Sequence, residues 1–137
     1  MRVQTAVRIP QQARTILEKR TFAHLATLMP DGSPQSTPVW VDVEGDEIVI
    51  NTAEGRIKPR NIREDPRVAL SATDPDDPYE AVIVRGLVTD LTHDGADEHI
   101  DSLAKKYLDE DTYPFRQPGE ERVKVYIAPE VVKGANE

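Results

Sequence analysis

The chain has 137 residues, no cysteine, and 17 Lys and Arg against 25 Asp and Glu, for a net charge of -8. That length suits one domain over residues 1–137, built on a single core. The acidic balance opposes binding to nucleic acid or anionic lipid, and the missing thiols exclude disulfides, thiolate metal sites and sulfur nucleophiles.

Pro10 followed by Ala13, Ile16 and Leu17 predicts a short amphipathic helix, with the proline tolerated in the first turn. "TFAHLATLM" reads as a strand, "PDGSP" as a turn on Asp31-Gly32, and "QSTPVWVDV" as a second alternating strand. After Glu44-Gly45-Asp46, "EIVINT" completes a three-stranded meander. Pro59 at a first helical position and Pro66 as a stop predict a two-turn helix from about 59 to 65. "RVALSAT" and "EAVIVRGLVTDL" are two further strands around the polar loop "DPDDPY". Ala96, Ile100, Leu103, Ala104, Tyr107 and Leu108 recur at helical spacing behind a cap at Asp94. Beyond the loop "DEDTYPFRQPGEE", the alternation of Val123, Val125 and Ile127 gives a sixth strand, ended by Pro129. The pattern is mainly β with short helices (α+β): about six antiparallel strands in a closed or nearly closed small barrel. No apolar run resembles a signal peptide or is long enough to span a bilayer, so a soluble, cytoplasmic protein with no membrane or nucleic-acid partner is expected.

One stretch departs from the acidic background. "NTAEGRIKPRNIREDPRVAL", residues 51 to 70, gathers Arg56, Lys58, Arg60, Arg63 and Arg67 around a helix start, where free backbone N–H groups and the helix dipole favour an anion. Arg56 and Lys58, two apart in an extended segment, point to one side and suit a phosphate, with Thr52 and Asn61 as neutral donors. A solvated face paired with Glu54, Glu64 and Asp65 is the competing reading. In "PQSTPVWV", Pro38 removes a ladder donor and so marks an edge or bulge, where free backbone groups can meet a flat heterocycle; Trp40 is otherwise a core or interface aromatic. His24, His93 and His99 match no metal spacing, the acids of "DPDDPYE" lack the calcium-loop pattern, and no nucleophile elbow or Gly-rich phosphate loop is present. No catalytic residue is assigned; Tyr79, Tyr113 and Arg116 stay open as proton donors.

The run "HLATLMPDGSPQSTPVWVDVEGDEIVINTAEGRIKPRNIREDPRVAL", then "VRGLVTDL" and "YPFRQPGEERVKVYIAPEVV", resembles the pyridoxamine 5'-phosphate oxidase-like split β-barrel proteins over residues 10 to 132. Within them it is most similar to group B of the flavin/deazaflavin oxidoreductases, actinobacterial proteins that commonly use coenzyme F420. The resemblance implies a homodimer with cofactor at the subunit interface. It places Gln35, Ser36, Thr37, Pro38, Val39 and Trp40 along the ring and ribityl chain, and the segment from Asn51 to Asn61 at the phosphate: Asn51, Thr52, Gly55, Arg56, Lys58, Arg60 and Asn61. Arg60 and Arg63 are surplus cations for the oligoglutamate tail of F420, which favours F420 over FMN. The implied activity is hydride transfer from reduced F420 to a quinone, unsaturated carbonyl or tetrapyrrole. An FMN oxidase or reductase and a non-catalytic deazaflavin carrier are the alternatives.

Overall fold

The computed structural model describes residues 7–134. Along the chain lie α1 (Gln11–Glu18), β1 (Ala23–Leu28), β2 (Pro34–Val39), β3 (Asp42–Glu44), β4 (Glu47–Ala53), α2 (Ile57–Glu64), β5 (Arg67–Asp74), β6 (Asp77–Thr92), α3 (Ala96–Leu108) and β7 (Arg122–Gly134). The strands form one antiparallel sheet in the order β2-β1-β5-β6-β7-β4-β3. Its two edge strands are neighbours in the chain, separated only by Trp40 and Val41, so the edges approach although no ladder joins them. The sheet is therefore a barrel left open along one seam, mainly β as its alternating pattern requires.

The inward faces of the strands carry Leu25, Ile48, Ile50, Leu70, Val82, Val84, Val123, Val125 and Ile127, all essentially inaccessible. Alternation puts these residues on one face and leaves the opposite face of β4 and β7 for α3, which lays Ile100, Leu103 and Ala104 over it. Ile16 and Leu17 of α1 and Ile62 of α2 join the barrel core.

Three local expectations need correction. First, "QSTPVWVDV" is not one strand of a meander: β2 pairs with β1, β3 pairs with β4, and no ladder links β2 to β4. The break is stabilised by α3. Val41 N–H donates to the Tyr107 hydroxyl at 3.1 Å, which in turn reaches Thr21 O at 2.6 Å. The Lys106 ammonium donates to Leu17 O at 2.7 Å and Val41 O at 2.6 Å. Side chains thus satisfy backbone groups that no strand meets. Burial pushes the Tyr107 pKa up to about 12, so its hydroxyl stays a protonated donor at neutral pH, and burial lowers the pKa of Lys106.

Second, α2 begins at Ile57 with Arg56 as its N-cap residue, which places Lys58 in the first helical turn rather than in an extended segment. Likewise α3 starts behind Gly95, in the left-handed conformation with φ 73°, and Asp94 supplies no cap. Third, Pro129 does not end β7, which runs on to Gly134. Proline is accommodated because β6 shifts register between Arg85 and Gly86, opposite Pro129, where a lost N–H breaks no ladder bond. Gly86 is required there, since a Cβ would collide with the Ala128 carbonyl.

Candidate functional site

A cleft of about 260 Å³ opens where four features converge: the Pro38–Trp40 end of β2, the start of α2, the adjoining ends of β4 and β7, and α3 with the loop that follows it. Its apolar walls are Phe22, Trp40, Ile100, Leu103, Tyr113 and Phe115, and its polar groups are Asn51, Arg56, Lys58 and Arg122. Trp40 is fixed by stacking on Tyr107 at 5.1 Å, with planes 4° apart, and meets the edge of Tyr113 at 6.0 Å. The loop carrying Tyr113 and Phe115 is fastened to α3 by Tyr113 N–H donating to Asp101 and by Arg116 pairing with Asp97 and Asp101.

Lys58 is half-buried and donates to Thr37 Oγ1 at 3.1 Å, yet no carboxylate among the described residues pairs with it. Burial, then the nearby Arg56 charge, lowers its pKa. Both effects disfavour the charged ammonium, and a neighbouring anion would offset them. No side chain caps α2, and Pro59 removes one first-turn N–H, so those of Ile57 and Lys58 remain uncapped beside the two cations.

The cleft also holds a network built on strand register. Asn51 pairs with Lys124 and Ala53 with Arg122, so Asn51 and Arg122 are diagonal neighbours on the face under α3. Arg122 Nε donates to Asn51 Oδ1 at 2.9 Å and its Nη1 donates to Glu120 at 2.9 Å. Glu120 lies between Arg122 and Arg56, the latter at 3.9 Å. The guanidinium can only donate, which fixes the orientation of the Asn51 amide: its Nδ2 donates to Ala96 O at 2.8 Å and to His99 Nδ1 at 3.1 Å. His99 must therefore carry its proton on Nε2. Burial, then the Lys124 charge, drops its pKa to about 4 and keeps it neutral.

Counting the groups that line or close the cleft, Arg56, Lys58 and Arg122 against Glu120 leave two positive charges. A phosphate monoester carries between one and a half and two negative charges at pH 7, roughly. The donor set fits a phosphate at the α2 end, and the aromatic walls fit a planar ring.

The family model described as pyridoxamine 5'-phosphate oxidase matches residues 9–134. The chain belongs to the pyridoxamine 5'-phosphate oxidase family. Among solved structures, one named F420 reductase is 33% identical with a TM-score of 0.79, covering 91% of this chain and 98% of its own. A conserved hypothetical protein from Mycobacterium tuberculosis shares the fold at 23% identity and TM-score 0.71, covering 98% and 88%. So does an FAD-binding protein from Mesorhizobium loti at 20% identity and TM-score 0.68, covering 92% and 94%. No protein of the curated set matches the sequence.

Of the residues singled out by sequence, this member of the oxidase family brings Pro38, Val39, Trp40, Asn51, Arg56 and Lys58 to the cleft, with Thr37 one hydrogen bond behind Lys58. Gln35 and Ser36 lie further along the edge strand β2 and do not line it. Gly55 and Arg60 line a second cavity of about 350 Å³ on the outer side of α2, which shares Arg56 with the first. The side chains of Thr52 and Asn61 face inward at 0% exposure, Asn61 donating to Thr27 and Met29, so neither reaches a ligand in the cleft. Arg63 is taken by a two-pronged contact to Glu54 at 2.7 and 2.8 Å, and Arg67 by Asp65 at 2.7 Å. Arg63, then His93, holds the Glu54 carboxyl down at about 2. The solvated-face reading thus applies to Arg63 and Arg67, and the anion reading keeps Arg56, Lys58 and Arg60. Arg122, Glu120 and His99 were missed as site residues because the pattern of β7 shows only its inward valines. Tyr79 projects from β6, exposed, and does not line the cleft. Among the described residues, no three His, Asp or Glu side chains are grouped to hold a metal ion, and no helix is long and apolar enough to cross a membrane.

Proposed function

We propose that the cleft binds the phosphorylated deazaflavin F420 and that the chain is an oxidoreductase of the flavin/deazaflavin group B type, reducing a small electron-poor acceptor. The observation that carries this is Lys58: a half-buried ammonium without a carboxylate, beside Arg56 and an uncapped helix start, at one end of an aromatic slot. Likeness to the F420 reductase structure supports the same reading. Arg56 and Lys58 would hold the phosphate, and the Pro38–Trp40 backbone and Trp40 ring would carry the tricycle. When bound in its reduced form, F420 supplies hydride chemistry to a substrate on its open face. The chain's own part is to orient and to exclude water: Trp40, locked on Tyr107 and in contact with Tyr113, forms one continuous aromatic wall with Tyr113 and Phe115.

Arg60, exposed beside Arg56 in the outer cavity with no carboxylate partner among the described residues, is suited to the further carboxylates that distinguish F420 from FMN. The occupation of Arg63 by Glu54 narrows that difference and is the observation favouring FMN. Phe22 and Phe115 at the cleft are each 58% exposed, and a second copy of the chain covering them would complete the site at a homodimer interface. Sedimentation at twice the chain mass is expected; a monomer at cofactor-saturating concentration contradicts the dimer.

Fluorescence titration with F420 and with FMN tests the main reading. F420 should bind more tightly, and Lys58→Ala should weaken it by about 1–3 kcal/mol, the loss of one charge-assisted bond. Unchanged affinity in the variant would remove the phosphate from Lys58. Tight binding without reduction of quinones or biliverdin would identify a carrier instead.

A further inference from the structure

Arg122 is the one lysine or arginine among the described residues that is buried, 4% exposed, and it lines the cleft. Removing a guanidinium from water is costly unless its donors are satisfied, and this one is held on three sides. Asn51 takes Nε, Glu120 takes Nη1, and the Tyr113 ring lies 5.1 Å from Cζ. Among the described residues the remaining nitrogen, Nη2, meets no acceptor, yet it is not one of the fully buried polar atoms left without a partner, which leaves it accessible in a side chain that lines the cleft. Its place is under Tyr113, whose edge meets Trp40, whereas the phosphate-directed Lys58 reaches toward Thr37.

We propose that Arg122 is a specificity-determining contact for the ring: Nη2 donates to a carbonyl oxygen or anionic nitrogen on the edge of a planar heterocycle. Asn51 and His99 act behind it as positioning residues. Because the guanidinium fixes the Asn51 amide and that amide fixes the His99 tautomer, Nε, Nη1 and ring plane are all determined before a ligand arrives. A heterocycle bound over the guanidinium with its electronegative edge elsewhere would cover Nη2 without meeting it, so the contact selects one orientation of the ring. The inference rests on the cofactor reading above.

The test separates ring from phosphate. F420 and the ring-less ribitol 5-phosphate are titrated into wild type, Arg122→Lys and Lys58→Ala, with the bound chromophore's absorption maximum recorded. Arg122→Lys keeps the charge and loses the planar fork; it should weaken F420 by about tenfold or more and shift its absorption band, while ribitol 5-phosphate binds as in wild type. Lys58→Ala should weaken both ligands. Arg122→Lys binding both ligands like wild type, or weakening both equally, overturns the ring contact and leaves the cofactor reading intact. Failure of wild type to bind F420 or FMN overturns both. Arg122→Gln serves as a second variant, and its thermal melt shows whether a loss of binding is a loss of fold.

Discussion

His99 shows how one buried side chain can be read to the level of a proton. Its Nδ1 faces an amide nitrogen that can only donate, so a protonated ring would set donor against donor. The folded protein accordingly holds the imidazole neutral down to about pH 4, from an ordinary value of 6.5. Between those values the unfolded chain binds a proton that the folded chain refuses, so stability falls as pH drops through that window, by on the order of 2–3 kcal/mol. Urea unfolding at pH 7 and pH 4.5 should show this fall in wild type and a much smaller one in His99→Leu. The Glu54 and Asp65 carboxyls, held at about 2 by Arg63 and Arg67, are lost only at lower pH and do not confuse the comparison. The Nε2 atom of His99, buried and without a partner, is a second reason the position is intolerant of extra charge.

Among the elements, α3 does two jobs with two ends. Its middle covers the outer face of β4 and β7, and its C-terminal turn supplies Lys106 and Tyr107 to the break between β2 and β3. Tyr107→Phe removes the hydroxyl that serves Thr21 O and Val41 N while leaving the ring under Trp40. It should cost about 1–3 kcal/mol in urea unfolding, the penalty for unpairing buried backbone groups. An unchanged midpoint would mean that the break is held by the strands alone. The helical spacing of Ala96, Ile100, Leu103 and Ala104 was plain in the sequence because an amphipathic stripe is a local signal. The role of Lys106 and Tyr107 was not, because the carbonyl oxygens they reach are 65 and 89 residues away for Lys106 and 86 for Tyr107.

At the scale of the whole molecule, the same distinction decides what was legible. The barrel follows from alternation and turns, and the cation cluster follows from composition, since both are written along the chain. The split of Arg56 and Lys58 from Arg63 and Arg67 is not, because it depends on where Glu54 and Asp65 come to lie once α2 has formed. The Asn51–Arg122 contact depends on the register of β4 against β7, and a slip of one residue would leave the two side chains on opposite faces of the sheet. Against a net charge of -8 for the whole chain, the two surplus positive charges of the cleft are a local exception.

Because β2 and the short β3 are joined by two residues, loosening that one segment would lay bare both rims of the sheet together. Unpaired rims are templates for self-association between molecules, and Pro34 and Pro38 blunt only one of them. Loss of Lys106 and Tyr107, whose hydrogen bonds hold that segment, should therefore favour clumping.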